Sequence, residues 1–288
     1  STIYSKAIVC GYEESTACDF AYRNGRKFQV IDTDEIIQRG KCGSFLTFDI
    51  KDGVLTISGF GEMYDSPSFR ENSEITSVVI EEGATYIGGY AFDSCSGLES
   101  VTLPSTLTGM GEYAFSDCNK LTSITIPEGV AEISRYAFND CYSLADVKLP
   151  STIRSIDQWA FGSCRALENI DLPEGLLEIG SGAFDSDYAL KSIKLPETIQ
   201  TIDSGAFDNC NISSVAIPAS VNYLAGDAFS SNSSLEEITV DSKNETYKSV
   251  DGVVYSISGD TLVSYPCGKK GTSFVIPETV KTIGRKAV

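Results

Sequence analysis

The sequence predicts a repeat solenoid. It reads as a stack of 23-residue units with short parallel strands on one face, a β-hairpin cap before them and a hairpin insertion late in the stack. Three observations predict it. An Ala-Phe pair returns with its ring at Phe92, Phe115, Phe138, Phe161, Phe184 and Phe207, 23 residues apart each time, then at Phe229 after 22. An apolar residue followed by proline keeps the same beat from Leu103-Pro104 to Ile217-Pro218. A cysteine returns in one slot at Cys95, Cys118, Cys141 and Cys164, and again two periods later at Cys210.

Residues 1–31 fall outside this frame. Ser15 is a fair N-cap and Gly25 suits the position after a helix end, so a short helix is expected between them. Phe28, Val30 and Ile31 read as a strand, and the block as a whole as a closing segment for a preceding array. Residues 32–41 are polar and short, the composition of a linker. Residues 42–74 open with two alternating runs, FLTFDI and VLTISG, around Asp52-Gly53, which is a strong hairpin signal. This hairpin is expected to cap the first rung, because an uncovered solenoid end is an edge open to aggregation. Gly59-Phe60-Gly61 lacks the strand-to-helix context of a nucleotide loop and reads as the hairpin exit.

The repeats run from 75 to 240. In each, L-x-x-V-x-L-P is expected as a short strand, with Leu98, Val101 and Leu103 inward and Ser100 and Thr102 outward. Proline ends the strand by removing a ladder donor. Leu107, Met110 and the Ala114-Phe115 pair then fill the back of the wedge. One unit buries too little to offset the entropy of ordering its own backbone, so stability is collective. Residues 241–273 interrupt the beat with alternating runs punctuated by Asp251-Gly252 and Gly259-Asp260, read as a hairpin insertion. The frame returns over 274–288 and stops one residue into the next Ala-Phe pair, so the array is expected to continue. The start at Ser1 likewise reads as a cut within a longer protein.

The cysteine slot also holds Asp187 and Asn232. A position that takes Cys, Asn or Asp wants a small group able to hydrogen-bond to a turn backbone, so Cys95, Cys118, Cys141, Cys164, Cys210 and Asn232 are read as a structural ladder of free, inward side chains. Neighbouring rungs still lie within disulfide reach, and Cys10, Cys18, Cys42 and Cys267 outside the ladder are open to pairing. The nine cysteines show neither CxxC nor Cys/His spacing, so no metal site is expected.

The chain carries 40 Asp and Glu against 22 Lys and Arg, a formal charge of −18, which argues against nucleic acid and anionic lipid as partners. No apolar run is long enough to span a membrane. There is no histidine, which excludes Ser-His-Asp, Cys-His and His-metal chemistry within these residues; no catalytic residue and no cofactor are expected. Two surfaces stand out instead. The outward strand row, taken as a candidate concave face, carries Asp146, Lys148, Asn169, Asp171 and Lys194 among small polar residues. The residue before each Ala-Phe pair is Tyr90, Tyr113, Tyr136 and Trp159, then Gly182, Gly205 and Asp227, an aromatic stripe at the repeat period. Aromatics are favoured binding anchors; the alternative is a stacking ladder that stiffens the first half of the array.

Residues 75 to 240, and again those from 274, follow the frame L-x-x-I-x-I-P-x-x-L-x-x-I-G-x-x-A-F-x-x-C, and so the chain resembles the BspA-like, or Treponema-type, leucine-rich repeat family. Cys42-Gly43 with Leu55 to Met63 looks like the family's N-terminal cap, and Tyr247 to Pro266 like its mid-array hairpin. Gly88, Gly111, Gly180 and Gly284 keep the family glycine, whereas Ser134, Asp157, Asp203 and Ala225 replace it. The resemblance implies a right-handed leucine-rich repeat array in a secreted or surface-anchored bacterial protein. It implies adhesion: binding of host or bacterial surface proteins, or of glycans, through the solenoid surface. A spacer with no ligand of its own is the alternative.

Overall fold

The computed structural model describes residues 9–11, 21, 23, 27–31, 36–271 and 273–288. Each 23-residue unit makes one turn of a parallel β-solenoid, and successive turns are joined by backbone hydrogen bonds along three lines. On the front, strands such as Ser123–Thr125 and Asp146–Lys148 pair in parallel, one period apart. On the back, Glu132–Ile133, Ser155–Ile156, Glu178–Ile179, Thr201–Ile202 and Tyr223–Leu224 form a five-stranded parallel sheet. Strands of two residues leave no alternating pattern to read, so the sequence pointed to apolar filling there and not to a second sheet. The third line is the Ala-Phe turn, where Phe115 N–H donates to Ala137 O and Phe138 N–H to Ala160 O, both at 2.8 Å.

The core is a spine of stacked phenylalanines. Phe92, Phe115, Phe138, Phe161, Phe184 and Phe207 have no exposed surface, and their ring centroids follow one another at 4.9 to 5.5 Å. Phe69 lies 23 residues before Phe92 and stacks on it at 5.4 Å, so the spine begins inside the stretch assigned to the cap. Phe48 of the hairpin meets Phe69 edge-on at 5.0 Å and closes the spine's end.

The hairpin Leu46–Lys51/Val54–Gly59 turns through Asp52 (φ 50°) and Gly53 (φ 77°), the two positive-φ residues of a type I′ turn. Its second strand pairs in parallel with Ser77–Ile80, the first rung. Residues 36–41 differ from the linker expected over 32–41. Ile36–Lys41 is a strand, antiparallel to Phe28–Ile31 on one side and to Leu46–Lys51 on the other. Polar residues suit it because one face of an antiparallel sheet faces water, while Gly40 lets the Phe48 ring lie against the backbone, 2.5 Å from where a Cβ would stand. Ala21 and Arg23 are helical; the rest of the helix expected from Ser15 to Gly25 lies outside the described residues.

The insertion is a three-stranded meander, Tyr247–Val250, Val253–Ser256 and Thr261–Ser264, whose last strand pairs in parallel with Thr282–Ile283 of the returning array. Asn244 anchors its entrance: buried, it donates to Pro218 O and Val221 O at 2.9 Å and accepts from Thr246 and Tyr247 N–H.

One expectation for the repeats is corrected. The front strand does not form in every unit, since Asn169–Asp171 and Ser192–Lys194 are irregular between the paired strands Asp146–Lys148 and Ser214–Ile217. Asn169 and Asp171 are residues that pleated strands disfavour. The back sheet continues unbroken past the same units.

Candidate interaction site

The cysteine slot sets how the turns are tied together. Each side chain points inward and donates to the carbonyl of the phenylalanine 26 residues earlier: Cys95 to Phe69 O, Cys118 to Phe92 O, Cys141 to Phe115 O, Cys164 to Phe138 O and Cys210 to Phe184 O, at 3.1 to 3.6 Å. Asn232 does the same with Nδ2, to Phe207 O at 2.7 Å, while its Oδ1 accepts Ile212 N–H at 3.0 Å. The thiols are free and buried, as is Cys42, whereas Cys267 is free and exposed; the side chains of Cys10 and Cys18 lie outside the described residues. Burial pushes Cys95 up to about 11 and Cys42 up to about 12, which keeps them protonated and unreactive.

The aromatic stripe exists as a stack. Tyr90 and Tyr113 lie 4.7 Å apart, Tyr113 and Tyr136 4.5 Å, and Tyr136 and Trp159 6.3 Å, all near parallel. The rings are half-buried, and all four residues are left-handed, with φ from 55° to 57°. Gly182 and Gly205 take the same conformation at 64° and 65°, and Lys286 takes it at 54°. From Tyr90 to Gly205 the turn takes this φ with ring or glycine alike, and bulky residues pay for it, whereas Asp227, in the unit with the 22-residue step, is not left-handed. The ring faces are already occupied: by each other, by the Arg70 guanidinium 5.1 Å from the Tyr90 centroid, and by Trp159 lying over Gly162 and Gly182. A Cβ at Gly182 would stand 2.7 Å from the indole. A ligand therefore meets ring edges and hydroxyls here, not open faces. The slot's Asp227 bonds with Ser204 and the Lys286 ammonium at 2.9 Å each, which continues the column in polar form.

The front row is exposed and differently built. Where the front strands separate, Asp146, Lys148, Glu168, Asn169 and Asp171 line a cleft of about 540 Å³. Beyond it Ser192, Lys194, Ser214, Ala216, Glu237 and Thr239 line a second of about 540 Å³. Lys148, Asp171 and Lys194 alternate in charge one period apart, yet among the described residues no ion pair within 4.0 Å joins them. The structure thus brings all five predicted face residues to one exposed surface, Asp146, Lys148, Asn169 and Asp171 around one cleft and Lys194 in the next.

Sequence reasoning missed one surface. Phe45 and Phe60 stack at 4.8 Å and 11° while 65% and 59% exposed. Gly59 and Gly61, at φ 114° and 93°, turn the chain so that Phe60 reaches Phe45. The glycine-flanked phenylalanine was the available signal, and it reads as a turn because nothing local says which ring it will meet. Among the described residues, no group of three or more His, Cys, Asp or Glu is placed to hold a metal ion, and no helix is long and apolar enough to cross a membrane.

A parallel solenoid with an inward Cys/Asn ladder and an exposed polar strand row defines a leucine-rich repeat protein. The family model of the BspA type leucine-rich repeat region matches residues 64–187 and 160–250 in six copies, and the chain belongs to that family. Among solved structures, a leucine-rich cell surface protein of Faecalibacterium prausnitzii A2-165 is similar, with 26% identity and a TM-score of 0.57 over 85% of this chain and 66% of that one. A leucine-rich repeat protein of Bacteroides ovatus shares the fold at 19% identity and a TM-score of 0.59, over 85% of this chain and 78% of that one. The pneumococcal vaccine antigen PcpA shares it at 19% identity and 0.50, over 85% and 60%. The chain spans just under two thirds of the Faecalibacterium protein's length. No curated protein is matched by the sequence.

Proposed function

We propose that this chain is an extracellular interaction module of a bacterial surface protein, and that it binds a protein or glycan partner along the front strand row, in the manner of adhesion. The family supports the general role, since leucine-rich repeats serve as scaffolds that bind protein partners. The observation that carries the choice of face is the pair of clefts opened where the front ladder is interrupted. There, alternating charges at Lys148, Asp171 and Lys194 sit on an ordered scaffold without satisfying one another. Such groups give orientation and partner discrimination more than raw affinity. The aromatic stripe is the second candidate face, through its hydroxyl edges, and a spacer without a ligand is the second reading of the whole.

The test is binding of the chain to immobilised matrix proteins and mucin glycans by biolayer interferometry at two salt concentrations. A Lys148→Ser/Asp171→Ser/Lys194→Ser variant is run beside it. Saturable, salt-weakened binding that the variant loses while melting at an unchanged temperature supports the reading. Equal binding by both moves the face to the stripe, and no binding by either favours the spacer.

A further inference from the structure

We infer that Asp187 is a proton-binding site built into the middle of the array: the folded solenoid holds its carboxyl neutral, and release of that proton loosens the turn it belongs to. The geometry of the slot makes the case. The carbonyls of Phe69, Phe92, Phe115, Phe138, Phe184 and Phe207 each receive a hydrogen from the side chain in the slot one turn on. Phe161 is the member of that series whose slot holds Asp187. The Asp187 side chain has no exposed surface, and neither of its oxygens has a hydrogen-bond partner. The amide that acts on its carboxyl, that of Cys164, is already given to Phe161 O at 3.1 Å. A carboxylate can only accept, so an ionised Asp187 would face an acceptor with nothing to offer it. A carboxylic acid supplies the same hydrogen that the thiol supplies in the neighbouring turns.

The surroundings agree. Asp187 is flanked by Cys164 and Cys210, both thiols pushed up by burial and therefore neutral. The charge that acts on it is that of Asp185 on its own turn, itself raised by burial; Asp208 on the next turn, which acts on Asp185 and Cys210, has an Oδ1 also buried without a partner. Burial first, and then the Asp185 charge, hold the Asp187 carboxyl well above the usual carboxylate range, and they outweigh the Cys164 amide that acts the other way. Leu190 N–H donates to Asp187 O at 2.9 Å, so this turn leads directly into the irregular segment at Ser192–Lys194. On the reading of the clefts as the binding face, the same proton sets how firmly the rung between them is held.

A carboxyl whose folded pKa is raised takes up a proton on folding. Its contribution is fully present below the unfolded value of about 3.9 and is lost as pH rises through the folded value. Between the two, the folding constant falls about tenfold per pH unit relative to a chain without the group. The experiment is urea unfolding of this chain from pH 4.5 to 8, beside Asp187→Asn and Asp187→Cys. Asn copies the donor of Asn232, and Cys copies the neighbouring slots. Asp185, Asp208 and every other carboxylate are unchanged in all three proteins, so their titrations cancel in the ratios. The expected result is that both variants are more stable than the parent at pH 7, by about a hundredfold or more in folding constant, and that the advantage shrinks toward pH 4.5. If Asn alone disturbs the turn, Cys still decides. A parent-to-Cys ratio that does not change with pH would show an ionised Asp187 in the fold and overturn the proposal. The readout involves no ligand, so it stands or falls apart from the cleft reading.

Discussion

Two aromatic columns climb the array side by side, with the same 23-residue step and nearly the same ring spacing, and they do different work. The phenylalanine column is sealed, each ring losing all its accessible surface and filling the wedge between the two sheets. The Tyr90–Trp159 column sits half out of the protein on left-handed backbone, and it ends where Trp159 covers Gly182. At Gly182 and Gly205 the turn keeps its φ without any ring. The stripe is therefore a set of side chains tolerated by a conformation that glycine takes freely, whereas the spine is what the conformation exists to bury. Periodicity alone does not separate the two roles; backbone geometry and burial do.

The largest effect should come from the spine. Phe138→Ala removes a fully buried ring stacked on both sides, and should cost about 3–5 kcal/mol in urea unfolding. A cost under about 1 kcal/mol would mean the wedge collapses and the spine is not the core. Next is the slot: Cys141→Ala deletes the donor to Phe115 O and leaves a small void, which should cost about 1–3 kcal/mol. Cys141→Ser, which keeps a donor, should cost less. Smaller still is Tyr136→Gly. Relief of left-handed strain, about 1–2 kcal/mol, offsets lost stacking of about 0.5–1.5 kcal/mol, so the melt should barely move. A loss on the scale of Phe138→Ala would make the stripe part of the core. The smallest expected change is Lys148→Ser with Asp171→Ser, exposed and unpaired, within about 0.5 kcal/mol of the parent.

Much of this fold was legible because each turn repeats the same local instructions. Leu98, Met110, Phe115 and Cys118 recur at fixed offsets, and burial follows the offsets. The strand at Ile36–Lys41 was not legible, because its partners lie on both sides of it in the sheet and only Ile36 and Ile37 of its residues are apolar. Nor was Phe69, which keeps the 23-residue step but follows serine where the other units have alanine. The site was legible as positions and not as shape. Lys148, Asp171 and Lys194 can be placed on the outward row by counting, but the opening of the clefts depends on which front strands pair, and pairing is a property of neighbouring turns. Asp187 was visible as an exception in a cysteine slot; that its oxygens lack partners is visible only in three dimensions.

The central claim is that the front row, and not the stripe, meets the partner. The direct measurement sets three proteins side by side in one binding assay against the best matrix or mucin surface: the parent, Lys148→Ser/Asp171→Ser/Lys194→Ser, and Tyr136→Gly/Trp159→Gly. Each is first shown to melt cooperatively. Loss of binding in the front variant with retention in the stripe variant is the result predicted here. Retention in the front variant with loss in the stripe variant would contradict it, and would assign the recognition to the ring edges and hydroxyls of the second column.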